Sequence, residues 1–161
     1  MPRRLLRDGC IVDDDWSYLA EAEGNAAAAL ILTLAQWQSG RDQWLAQDRR
    51  LGVVLSPAHR VELLQGDLPR LDLIAADFSG PSEGRGYSQA RMLREQWKFG
   101  GELRATGYVH RDQLFFMARC GFNSFELADT DIESAHAALT TFSRAYQPSN
   151  DAGLPLKLQR R

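Results

Sequence analysis

The sequence predicts an α/β fold: a parallel sheet of about five βα units, either open and doubly wound or a partial (βα) barrel, with a short N-terminal hairpin. Three observations predict it. Apolar strand-like runs alternate with helical patterns, the connections between them are short, and the runs "LGVVL" (51–55) and "LDLIAADF" (71–78) are almost uninterrupted, as in strands covered on both faces. The two curvatures share this pattern, and the units are too few for an eight-fold barrel.

The elements follow in order. Asp8-Gly9 ahead of Cys10-Ile11-Val12, with three aspartates before Trp16, reads as a hairpin or edge flap over 8–19. Ala28 to Leu34 is a short buried strand, and Ala35 to Arg50 is helical, with Trp37, Trp44 and Leu45 on its apolar side. After the 51–55 strand, Ser56-Pro57 has the character of an N-cap and a first-turn proline, giving a helix that buries Val61, Leu63 and Leu64. The 71–78 strand leads to a helix over about 88–97, a strand over 101–109, a helix beginning near Asp112 and stopped by Gly121, and a last strand at 124–127. Thr130 and Glu133 form a capping-box pattern before Ile132, Ala135, Leu139, Phe142 and Tyr146, and Pro148 ends that helix. Residues 1–147 are thus one domain, and 148–161 a mobile tail or strap.

Composition narrows the function. A net charge of −2 leaves no basic excess to neutralise a phosphate backbone, which argues against a nucleic-acid partner. The longest apolar run, "AAAALILTLA" (26–35), is too short to cross a bilayer, and the N-terminus lacks a signal-like core, so no membrane partner is expected and the cytoplasm is the default. Cys10 and Cys120 stand far apart, giving no disulfide framework, zinc spacing or cluster ligand set; no metal and no intrinsic cofactor are expected, although a flavin stays open.

Ligands of parallel sheets collect at the carboxyl ends of the strands, here 56–60, 78–88, 107–112 and 128–131. "GRGYSQ" (84–89) begins like a dinucleotide fingerprint but has Gln89 where a third glycine or alanine is needed. A simpler anion site remains, made of Gly84, Arg85, Gly86, Tyr87, Ser88 and Arg91. A helix end supplies only about 0.3–1 kcal/mol where millimolar binding needs about 4 kcal/mol, so the arginines must do most of it. The competing reading pairs Arg85 with Asp77 or Glu83 and leaves the glycines to permit the turn. Arg104, Arg111, Asp112 and Gln113 form a second polar group, in which a buried Arg104 requires a carboxylate such as Glu126. His59, His110 and His136 fall in separate units, with His110 a cap or an acid–base group and His136 on an exposed helix side. Cys120, near a helix end, reads as a small buried hydrophobe.

Three stretches, "DGCIVDDDW", "LIAADFSGPSEGRGYSQARMLRE" and "GELRATGYVHRDQLFFMARCGFNSFEL", followed by "TFSRAYQ", resemble the bacterial domain-of-unknown-function 934 family over nearly the whole chain up to Gln147. The resemblance implies an association with assimilatory sulfite reduction, and a role as an oxidoreductase or as an accessory protein binding sulfite reductase or its electron donor. No catalytic residues come with it. Its motif positions here are Asp77, Gly84, Arg85, Gly86, Tyr87 and Ser88, then Arg104, then Arg111, Asp112, Gln113, Cys120 and Gly121, while "SGPSE" replaces an expected basic or aromatic stretch. Without cluster ligands or a haem motif, the residues favour the accessory role. The alternative is an enzyme binding a small phosphorylated or anionic metabolite at the strand ends, and homo-oligomerisation stays open.

Overall fold

The computed structural model describes residues 3–22, 27–80, 83–128 and 131–142, with 141 and 142 described by backbone alone. Thr130, Tyr146, Pro148 and the 148–161 tail lie outside the described residues.

Among the described residues eight strands form one mixed, mostly parallel sheet: β1 (Arg4–Arg7), β2 (Cys10–Asp13), β3 (Ser17–Tyr18), β4 (Ala29–Thr33), β5 (Arg50–Leu55), β6 (Leu73–Phe78), β7 (Glu102–Gly107) and β8 (Ser124–Phe125). Their order is β2-β1-β8-β7-β6-β5-β4-β3. From β3 to β8 neighbours are parallel and sequential, and β1 joins β8 and β2 antiparallel. This order has no reversal, so the sheet has no doubly wound switch point.

The sheet is a curled half-barrel, and chain connectivity requires the curl. Laid flat, the seven intervals between β2 and β3 would span about 34 Å at ~4.8 Å each. The chain passes from Asp13 to Ser17 in four steps, which reach at most about 14 Å. The two ends of the sheet must therefore approach one another.

The β1–β2 hairpin turns on Asp8 (φ 51°) and Gly9 (φ 78°), the paired left-handed conformations of a two-residue hairpin loop. Helix α1 (Leu34–Leu45) starts from Thr33, whose hydroxyl accepts from the Gln36 amide while the Gln36 side chain accepts from the Thr33 amide. No α-helix follows Ser56-Pro57. The His59 ring accepts from the Ser56 amide, and the chain runs as 3-10 turns over Val61–Arg70, with Gly66 and Pro69 opposing an α-helix there. In that segment Val61 and Leu64 are buried, but Leu63 is exposed.

Helix α2 (Arg85–Arg91) starts earlier than the sequence predicts and passes into a π-turn over Met92–Gln96, closed by the Trp97 amide on the Met92 carbonyl. A 3-10 turn, Arg111–Gln113, leads into α3 (Leu114–Cys120), which stops at left-handed Gly121 (φ 116°). Helix α4 (Ile132–Phe142) is capped by Asp131, whose carboxylate accepts from the Ser134 amide.

Strand alternation divides the sheet into two faces. Leu51, Val53, Ile74, Ala76, Phe78, Leu103, Ala105 and Phe125 share one apolar cluster with buried residues of the helices. The intervening positions form a separate cluster in which Trp16 covers Ala29, Ile31, Leu73 and Ala75 on the concave face.

Candidate functional site

The concave face carries Arg7 of β1, Arg50 of β5, Asp77 of β6 and Glu102 and Arg104 of β7, beside the apolar Leu73 and Ala75. Arg104, in the middle of β7, is fully buried. Its guanidinium grips both Asp14 oxygens at 2.9 Å each and Glu102 Oε1 at 3.1 and 2.9 Å. Glu126, the partner suggested by sequence, lies 3.9 Å away and is secondary. Burial works against the charge on Arg104, but Asp14 and Glu102 outweigh it and raise its pKa. Below this pair Asp15 bridges Arg7 (2.8 Å) and Arg50 (2.6 Å), and Arg50 also stacks over Trp16. Burial opposes the Asp15 charge too, yet the two arginines hold its pKa at about 2.

Above Arg104 the carboxyl ends of the strands open into a cavity of about 360 Å³, lined by Arg3, Tyr18, Glu21, Asp77, Thr106 and Glu126 among others. Tyr18 comes from the edge strand β3 and Glu126 follows β8, so their 2.9 Å hydrogen bond crosses the mouth of the half-barrel. Arg3 does the same, binding Glu126 and, at 2.7 Å, Glu21, with its guanidinium over the Tyr18 ring. Burial and then the Glu126 charge push the Tyr18 phenol up to about 12, so it is neutral and donates.

Asp77 and Thr106 are register partners on neighbouring strands of this mouth. Asp77 accepts from the Ser79 hydroxyl at 3.0 Å and forms no ion pair among the described residues. It owes its place to Gly107 (φ 84°), where a Cβ would overlap the carboxylate and approach the Phe78 carbonyl at 2.5 Å.

The residues predicted for an anion loop do other work. Glu83 Oε1 accepts from the Arg85 amide (3.1 Å), placing a carboxylate at the start of α2. The Arg85 side chain is exposed and pairs with neither Asp77 nor Glu83. Gly84 and Ser88 are exposed, and Arg91 forms a surface pair with Glu95 (3.4 Å). Gly86 lies against Phe78, where a Cβ would stand 2.6 Å from the ring. Tyr87 stacks edge-on with Phe78 and Phe116. Gln89, which breaks the dinucleotide fingerprint, is buried and donates to the Ser56 and His59 carbonyls, stapling α2 to the loop after β5.

The other polar group is only partly assembled. His110, Arg111 and Asp112 line a cavity of about 310 Å³ together with Asp131, and Arg111 donates to the Ser134 hydroxyl at 2.6 Å. Gln113 caps its own turn by accepting from the His110 amide. Arg104 faces the concave interior and does not line this cavity. His136, expected on an exposed side, contacts the Gly9 carbonyl at 2.9 Å and ties α4 to the hairpin. Cys120 is buried, and burial raises its thiol pKa despite Arg91 and Arg119.

Several site residues are missing from the sequence reading. Arg3, Tyr18 and Asp14 act on partners about 90 or more positions away, and only the run of aspartates before Trp16 hinted at them. Arg94 also went unseen; it donates to the carbonyls of Gly121, Phe99 and Gly101, locking the end of α3 to the loop before β7.

A family model described as a bacterial protein of unknown function (DUF934) matches residues 52–157. The chain belongs to the DUF934 family. The match begins in β5, so the hairpin and the 14–18 strap that complete the mouth precede the DUF934 region, while β6, β7, β8 and α2 to α4 fall within it. It also runs past Gln147, beyond the stretches that carry the resemblance. A search among curated proteins gave no match. Among the described residues no three His, Cys, Asp or Glu side chains converge as a metal site, and no helix is long and apolar enough to cross a membrane.

Proposed function

We propose that this DUF934 protein is a cytoplasmic accessory protein of assimilatory sulfite reduction, which binds the reductase or its electron donor. Family membership carries the reading, since the family resemblance is what implies the sulfite-reduction setting. The site geometry is consistent with a binding role. Arg104, Arg7 and Arg50 are held by internal carboxylates, and Cys120 is buried with a raised pKa. In the same reading the half-barrel is a partial βα barrel of about five units whose N-terminal hairpin closes one edge.

A strain lacking the gene and any redundant copy should grow poorly with sulfate as its sulfur source and recover on sulfide or cysteine. Unimpaired growth on sulfate refutes the proposal.

A further inference from the structure

The mouth of the half-barrel has an unbalanced lining. Asp77, Glu126 and Glu21 contribute three carboxylates, and Arg3 contributes one guanidinium. Glu126 and Glu21 both serve Arg3, and Glu126 also takes the Tyr18 hydroxyl. Asp77 is left with a neutral hydroxyl, that of Ser79. A half-buried carboxylate in a concave site favours a cationic partner, both by direct hydrogen bonding and through the excess negative potential of the walls.

The neighbouring groups fit the same ligand. Thr106, opposite Asp77 in register, places a hydroxyl one strand spacing from the carboxylate. Its own contact to the Tyr18 hydroxyl is long, at 3.5 Å, which leaves acceptor capacity toward the cavity. Val54 supplies an apolar wall. A volume of about 360 Å³ is at the small end of ligand sites, suited to a metabolite of amino-acid size. The donor set does not converge as metal ligands do, which favours an organic ammonium over a metal ion.

We propose that the cavity between Asp77, Thr106 and Tyr18 binds a small molecule through a protonated primary amine, with the ammonium on Asp77 and Thr106 and the alkyl part against Val54. This site is distinct from the Gly84–Arg91 loop, takes the opposite charge, and does not depend on the sulfite-reduction reading.

Three probes of one size and different charge test it: n-butylammonium, 1-butanol and butyrate, with inorganic phosphate as a further anion. Each is titrated at neutral pH into the full chain and followed by amide chemical shifts. Butylammonium should give saturable shifts at residues 76–78 and 105–107, and butanol and butyrate should not. Asp77→Asn should weaken binding at least about tenfold, as expected for loss of a charged hydrogen bond. Asp42→Asn, on α1, should leave it unchanged. Should Asp77→Asn fail to fold, the weakening is read in Thr106→Val. The proposal is overturned if butylammonium gives no saturable shift there, if butyrate or phosphate saturates the same amides in its place, or if folded Asp77→Asn binds as tightly as the parent.

Discussion

The same strands build two unlike faces. In β7, Leu103 and Ala105 sink into the helix-covered core, while Glu102, Arg104 and Thr106 turn into the half-barrel. The helix side is held by non-directional apolar burial, and the concave side by directional ionic contacts around a guanidinium that cannot be left unpaired. Cores of the first kind tolerate gradual change, whereas networks of the second kind fail when one member is removed.

The largest expected effect attacks the concave side. Arg104→Met strands Asp14 and Glu102 and should cost about 3–5 kcal/mol in urea unfolding. Adding Asp14→Leu and Glu102→Leu should recover most of it, since a well-packed apolar replacement of a buried ionic group is often neutral. A single-variant loss below about 1 kcal/mol would mean that the ions do not hold this face.

A middle-sized effect probes the helix side. Gly86→Ala drives a methyl into Phe78, whose ring is hemmed in by Tyr87 and Phe122 at centroid distances of 5.1 and 5.8 Å. Overpacking of about 1–3 kcal/mol should outweigh the better helix propensity of alanine and lower the Tm by a few degrees. Gly84→Ala, with open space around it, should be nearly neutral in the same scan. Equal effects at both positions would remove the packing explanation.

The smallest effect is a pH dependence. The Asp15 pKa falls from 3.8 to about 2 on folding, so its stabilisation is complete above about pH 4 and disappears as pH falls toward 2. The carboxylate is 44% exposed, so solvent screening limits its worth to about 1 kcal/mol or less. Asp15→Asn should therefore flatten the acid limb of the stability curve slightly and leave neutral pH little changed beyond that amount.

What was legible in the sequence follows from the reach of each interaction. Strand alternation in β7 and the Gly121 stop are local and appear where the residues predict them, whereas the hairpin expected over 8–19 is shifted to Arg4–Asp13, with Asp8-Gly9 as its turn and Ser17–Tyr18 a separate parallel strand. The inward, carboxylate-bound Arg104 was legible for the same reason, since a guanidinium in an apolar strand has few other outcomes. Its true partners were not, because Asp14 approaches from a strap 90 positions earlier. Sheet curvature likewise depends on strand order, which no single strand encodes. The helix expected after Ser56-Pro57 failed because a good start signal was followed by Gly66 and Pro69, and the 3-10 turns they permit still bury Val61 and Leu64.

The closure of the half-barrel sets how the molecule can deform. A fully closed barrel can change its girth only by breaking backbone ladders. Here the edges of the sheet are β2 and β3, and the mouth between β3 and the end of β8 is spanned by the Tyr18 hydroxyl and the Arg3 ion pairs. An exposed pair such as Arg3–Glu21 is worth about 0–1 kcal/mol. The mouth is therefore fastened across this span by side chains and not by a backbone ladder, like a clasp tethered by the 14–18 strap.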